Sequence, residues 1–119
     1  MLAKKQVVHN MKLNPAPYDM IKCGKKTIEL RLFDEKRQQI KVGDSIVFTN
    51  TKSGETIRAT VLNLHCFDSF AALYGALPLL RCGYTEENVT QATPTDMEMY
   101  YSVEEQRRYG VVGLEIVLK

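Results

Sequence analysis

The sequence predicts an α+β fold. Period-two apolar alternation runs through residues 27–67, helical spacing takes over after Asp68, and a capped helix near the C-terminus feeds a strand-like "VVGLEIVL". At 119 residues the chain is long enough for one hydrophobic core but not two, so residues 1–119 are expected to form one domain. Its hydrophobic fraction of 45% and charged fraction of 25% are those of a globular chain and argue against disordered and fibrous classes. No apolar run approaches the roughly 20 residues that cross a bilayer, and "MLAKKQVVHN" turns polar too soon for a secretory signal. A cytoplasmic location is therefore expected. Cys23, Cys66 and Cys82 are odd in number and widely spaced, which fits neither a disulfide framework nor a CxxC metal site, so free thiols are expected.

The elements follow in order. Residues 6–13, "QVVHNMKL", carry an imperfect alternation through Val8, Met11 and Leu13 and read as a first strand. "NPAPYDMIKCG" reads as a short helix with Asn14 as its cap, Pro15 at its first position and Gly24 as its stop. "TIELRLF" alternates strictly, with Ile28, Leu30 and Leu32 on one face and Thr27, Glu29 and Arg31 on the other. "DEKRQQIKVGD" is a polar connection with a buried anchor or short strand around Ile40. "SIVFTN" and "ETIRATVLNLHCF" are strands joined as a hairpin by the turn "TKSG". "DSFAALYGALPLL" is helical until Pro78, with Asp68 or Ser69 as its cap, and Phe67, Phe70, Leu73 and Tyr74 have the spacing of a core stripe. "TEENV" and "TPTDMEMYY" carry further cap and turn signals. Ser102 and Glu105 form a capping-box pattern for a last helix that Gly110 ends, and "VVGLEIVL" closes the chain as a strand.

Charge is distributed unevenly along this frame. Residues 1–58 hold 12 Lys/Arg against 6 Asp/Glu, a net of +6, whereas residues 59–119 hold 4 against 8, a net of −4. A basic half attracts polyanions if folding gathers its lysines on one face; otherwise the two halves interleave and the surface is simply mixed. The densest charge, Lys25, Lys26, Glu29 and Arg31, surrounds the start of the "TIELRLF" strand. On composition alone Glu29 and Arg31, two residues apart on one face, read as a surface ion pair worth under about 1 kcal/mol with a solvated lysine beside it.

The stretch "GKKTIELR" resembles the G-x-K-x-x-E-x-R signature of the ASCH domains, small members of the PUA-like superfamily, through Gly24, Lys26, Glu29 and Arg31. The likeness continues in "VGDSIVF", similar to the family's Gly-Asp turn and following strand, and in "YSVEEQRRYGVVGLEIVL", similar to its terminal helix and strand. The resemblance implies a PUA-like, partly open β-barrel of five or six strands with flanking helices, and a cleft where the signature strand meets the helices. It further implies RNA or nucleotide binding in that cleft. Lys26 and Arg31 suit phosphate, Arg31 in bidentate geometry, while Glu29 suits base amino groups, a ribose hydroxyl or the orientation of Arg31. Lys12 and Lys25 are further candidate RNA-binding residues, and Lys22, Lys36 and Arg37 are possible extensions of a phosphate track.

The same resemblance implies a second class of function, because one branch of the family hydrolyses the acetyl amide of N4-acetylcytidine with a lysine, a threonine and a glutamate. Lys26 occupies the lysine position, but Glu29 stands where that branch has its threonine, and the acid is left open among Glu86, Glu87, Asp96 and Glu98. Lys26 and Glu29 are then the candidate acid/base pair. Ribonuclease activity, implied by another small relative, would need other groups than histidine, since His9 and His65 fall on different strands and read as satisfied core residues. No His/Cys cluster or paired carboxylate on one element suggests a metal, and no cofactor is expected. Tyr100, Tyr101 and Tyr109 flank the last helix, where a tyrosine can stack on a base, although Tyr109 reads as a prop for the helix–strand junction. A protein-interaction module would instead show an exposed apolar patch in place of a charged cleft, and oligomeric state is not legible.

Overall fold

The structure, a computed structural model, describes residues 7–119. Strands β1 (Val8–Leu13), β2 (Ile28–Leu32), β3 (Ser45–Asn50), β4 (Thr56–Phe67) and β5 (Val111–Leu118) form one sheet in the order β1-β3-β4-β5-β2. Helix α1 (Pro15–Lys22) lies between β1 and β2, and α2 (Phe70–Ala76) and α3 (Val103–Tyr109) lie between β4 and β5. All strand pairs are antiparallel except β1 with β3, which run parallel with Val8 opposite Ser45 and Leu13 opposite Asn50. This is the five-stranded, partly open half-barrel with flanking helices of the PUA-like α+β class.

Local chemistry accounts for the elements. The β3–β4 hairpin is set by Asn50, whose side-chain oxygen accepts from the backbone N–H groups of Lys52 and Ser53 at 2.9 and 3.2 Å, fixing the turn between the strands. A register shift between Val61 and Asn63 in β4 gives the long strand the bulge that lets the sheet curl. Ser69, not Asp68, caps α2 by accepting from Ala72 N–H. Ser102 and Glu105 close a reciprocal capping box on α3. Pro15 opens α1, but the Asn14 side chain makes no cap bond; its Oδ1 accepts from the Thr51 hydroxyl instead. Ile40 is a buried anchor after a 3-10 turn at Arg37–Gln39, with no strand around it. Of the expected first strand, Gln6 lies outside the described residues and Val7 precedes β1.

Two apolar clusters sandwich the sheet. The inner one, on the face that α1 covers, joins Met11, Ile46, Phe48, Val61 and Leu114 to Tyr18 and Ile21 of α1. The outer one joins Ile28, Leu30, Leu32 and Val111 to Phe70 and Leu73 of α2. Burying each such side chain contributes about 1.5 to 3 kcal/mol, so these two layers hold the sheet between its helices. Cys82 belongs to the outer cluster, Cys23 and Cys66 are exposed, and all three thiols are free. No helix among the described residues is long and apolar enough to cross a membrane.

The terminal strands of this order, β1 and β2, do not pair with each other. Side chains from β2 and from the turn after it reach across to β1. Arg31 Nη2 donates to Lys12 O and Lys36 Nζ donates to Asn10 O, each at 2.8 Å. The barrel is thus joined by backbone hydrogen bonds everywhere except along this seam, and the signature residues lie there.

Candidate functional site in the open seam

The segment between α1 and β2 positions the first site residue. Past α1 the chain folds back, with Gly24 N–H bonded to Ile21 O and Lys26 N–H to Met20 O, and Gly24 adopts φ +84°, a conformation that side chains with a Cβ disfavour. Thr27 N–H then donates to Arg81 O, tying the start of β2 to the 3-10 turn at Leu79–Arg81. The stem of Lys26 runs along Gly83, where a Cβ would come within 3.4 Å of Lys26 Cδ. Gly83 itself has φ +112°.

Lys26 Nζ donates to Glu29 Oε1 and Arg31 Nε to Glu29 Oε2, both at 2.7 Å, with the three side chains only 10%, 4% and 14% exposed in that order of residues. The expectation of a surface ion pair is therefore corrected. Alternation does place Glu29 and Arg31 opposite Ile28 and Leu30, but their face is that of the inner cluster, paired to Leu114 and Val112 of β5 and covered along the seam. Burial pushes the Glu29 carboxyl up, and the charges and hydrogen bonds of Lys26 and Arg31 outweigh it, holding the group below the usual carboxylate range. Burial likewise opposes the charged form of Arg31, and Glu29 with the Tyr101 hydroxyl overcomes it, raising its pKa. The thiol of Cys82, beside Lys26, is pushed up to about 11 by burial, so it stays protonated and unreactive at neutral pH.

Above this triad opens a cavity of about 530 Å³. Its floor is Lys26, Glu29, Leu30, Arg31, Cys82 and Gly83; α1 supplies Ala16, Pro17 and Met20, and the excursion between β4 and β5 supplies Tyr74, Tyr84, Asp96, Met97, Tyr100 and Tyr101. Tyr84 OH bonds Tyr74 OH and donates to Asp96 Oδ2, each at 2.7 Å, while Thr93 N–H donates to the same carboxylate oxygen. Burial, then the bonds to Tyr74 and Asp96, raise the Tyr84 phenol above its ordinary value, so it remains a donor. The cavity wall is thus a hydrogen-bonded unit pinned to the capping box of the 3-10 helix Pro94–Met99.

The structure brings some of the sequence-predicted residues together and separates others. Lys12 lines the cavity with Lys26, Glu29 and Arg31, whereas Lys25 is exposed and outside it. Lys22 pairs with Glu55 at 3.4 Å, Arg37 with Asp34 at 3.1 Å, and Lys36 bridges the seam, so these three serve the fold locally. Of the four open acids, Asp96 lines the cavity and Glu86, Glu87 and Glu98 do not. Tyr100 and Tyr101 line it; Tyr109 does not, and its ring lies 5.1 Å from the Arg108 guanidinium. His9 and His65 are not core residues as expected. Each is part-buried against a carboxylate, Asp44 and Glu115 respectively, at 2.8 Å, because each sits where the sheet meets solvent. Tyr74 packs against the outer cluster as the sequence predicts and also lines the cavity, whereas Tyr84, Met20, Met97 and Met99 were missed. The one available signal was Thr93-x-x-Asp96, a capping pattern that fixes Asp96 and through it Tyr84.

The partly open five-stranded half-barrel with flanking helices is of the PUA-like fold class. The chain belongs to the ASCH-domain family, whose model matches residues 11–119. Among solved structures it is similar to the hypothetical protein PH0355, at 32% identity and TM-score 0.77 over 95% of this chain and 100% of that one. A Pyrococcus furiosus protein solved by NMR is 31% identical with TM-score 0.68, over 94% and 97% of the two chains. A mutant of the ASCH protein of Zymomonas mobilis shares the fold at 14% identity and TM-score 0.66, over 93% of this chain and 69% of that one. No curated protein matches the chain.

Proposed function

We propose that this ASCH domain binds RNA or a nucleotide in the cleft of the open seam, with Lys26, Glu29 and Arg31 as its floor. The observation that carries this reading is the burial of that charged triad beneath tyrosines in one cavity. A buried ion cluster gains little stability over apolar packing, so its retention in an accessible cleft favours recognition as its role. The cavity falls within the roughly 300 to 1,000 Å³ of small-molecule sites, which suits a single nucleotide rather than a duplex. Tyr100, 60% exposed at the mouth, and Tyr101 below it offer ring faces for a base, worth about 1 to 3 kcal/mol when stacked. Lys12 at the rim and Arg31 supply positive charge for phosphate, whereas Lys25 is left to a peripheral, non-specific contribution.

Hydrolysis of a modified nucleoside or of RNA is the second reading, and the contact of Lys26 with Glu29 inside the cleft is what favours it. Thr27 is a poor nucleophile here, since its hydroxyl accepts from Arg81 Nε at 2.8 Å and its side chain is engaged outside the cavity. One experiment separates the readings: purified protein is incubated with a short labelled RNA and, separately, with N4-acetylcytidine, and both binding and product are followed. Saturable binding without product, weakened at least tenfold in Lys26→Ala, is expected. Binding indifferent to Lys26→Ala and to Arg31→Glu would sink the cleft assignment, and product that disappears in Lys26→Ala would establish the enzyme.

A further inference from the structure

The cleft floor is chemically one-sided. Glu29 is its sole carboxylate among the described residues, and each of its oxygens already accepts a bond of 2.7 Å from Lys26 or Arg31. With its side chain 4% exposed, it has almost no surface left for a ligand's N–H or O–H. The donors are in surplus. Among the described residues Lys26 Nζ has Glu29 as its partner and two further N–H groups unassigned, and Arg31 spends Nε on Glu29 and Nη2 on Lys12 O, with the Tyr101 hydroxyl beside its guanidinium. Leu30, Cys82 and Gly83 complete the floor without a charged acceptor, and the Cys82 thiol stays protonated. The other carboxylate of the cavity, Asp96, is on the wall, with Tyr84 and Thr93 already bonded to one oxygen.

We propose that the floor reads its ligand through hydrogen-bond donors alone, so that the group entering deepest is an acceptor, either a carbonyl on a base edge or an oxyanion such as phosphate. This rests on the reading that the cleft binds nucleotides, and it assigns Glu29 the role of a positioning residue that aims two cations, in place of contact with base amino groups. A donor-only floor is permissive to carbonyl oxygens and oxyanions and penalises an exocyclic amino group, which would meet like donors and lose its water without a partner.

The test is calorimetric titration of the wild-type protein with two nucleoside pairs that exchange a carbonyl for an amino group at one exocyclic position, inosine with adenosine and uridine with cytidine. The corresponding 5′-monophosphates and inorganic phosphate follow. A base carbonyl on the floor predicts inosine over adenosine and uridine over cytidine by about tenfold or more. Phosphate on the floor predicts monophosphates over nucleosides by a similar factor, indifference to the base, and competition by inorganic phosphate. Tighter binding of adenosine and cytidine, or equal binding across all compounds, overturns the donor-only floor while leaving the nucleotide cleft in place. If no compound and no short RNA binds, the functional reading itself fails and this inference with it.

Discussion

Glu29 and Glu115 lie on adjacent strands one register step apart, Glu29 facing Leu114 and Glu115 facing Ile28, so alternation sends them to opposite faces of the same sheet. Each is held by two basic groups: Glu29 by Lys26 and Arg31, both at 2.7 Å, and Glu115 by His65 at 2.8 Å and Arg81 at 3.2 Å. Both carboxyls are held below the ordinary range, but for different reasons. For Glu29 the largest influence is burial, which opposes ionisation and is overcome by two charges; for Glu115 it is the hydrogen bonds from His65 and Arg81, and burial is minor. Like chemistry therefore has unlike consequences. The outer cluster can exchange a partner for water, whereas the Glu29 carboxylate, with its side chain 4% exposed, has almost no surface to offer it.

The largest expected effect follows directly. Glu29→Ala leaves two cations buried without a counter-charge and should destabilise the fold by about 3 to 5 kcal/mol, while Glu115→Ala should cost about 1 kcal/mol or less. Urea unfolding midpoints of the two variants would measure the gap, and equal midpoints would show that burial does not distinguish the clusters. Acid sharpens the comparison. A carboxyl whose folded pKa is depressed contributes stability that is fully present above its unfolded value, near 4.5 for glutamate, and lost as pH falls through the folded value. The stability of wild type and Glu29→Gln should therefore run parallel from pH 6 upward and converge below about 4.5. Curves that converge instead in the alkaline range would contradict the direction of the shift.

Much of the fold was legible because strands announce themselves locally. "SIVFTN" and "VVGLEIVL" coincide with β3 and β5, since period-two alternation and turn residues at both ends are short-range properties. The parallel pairing of β1 with β3 across α1 and β2 is a long-range fact that no window of sequence contains. The site divides in the same way. Lys26, Glu29 and Arg31 sit within six residues and their convergence follows from strand geometry, but alternation alone cannot say which face is covered, so their burial was misread. Tyr74, Tyr84 and Asp96 join that cavity from an excursion held by 3-10 turns and a hydroxyl chain, features that have no periodic signature.

Gly83 offers an intermediate effect at the boundary between the two clusters. Its chain neighbours lead back to Arg81, which donates to Thr27 and Glu115 on the outer face, while its own Cα borders Lys26 on the inner. At φ +112° an alanine is strained whatever the space around it, and its Cβ would meet Lys26 Cδ at 3.4 Å. Gly83→Ala should cost about 1 to 3 kcal/mol of stability and shift Lys26, weakening RNA or nucleotide binding more than Glu115→Ala does. Unchanged binding in a destabilised Gly83→Ala protein would separate the glycine's conformational role from the seating of the lysine.

The smallest effect tests the outer cluster by salt. Its charged groups are solvent-accessible, with Arg81 45% and Glu115 23% exposed, and screening acts on such pairs at short range once the Debye length falls to about 3 Å in 1 M salt. The stability lost in Glu115→Ala, already about 1 kcal/mol or less, should shrink toward zero between 0.05 and about 1 M sodium chloride. The loss in Glu29→Ala should fall less, because its partners lie 2.7 Å away with side chains 4% to 14% exposed, inside even that short screening distance. Were both losses to decline together, burial would not be what distinguishes the inner triad from the outer pair.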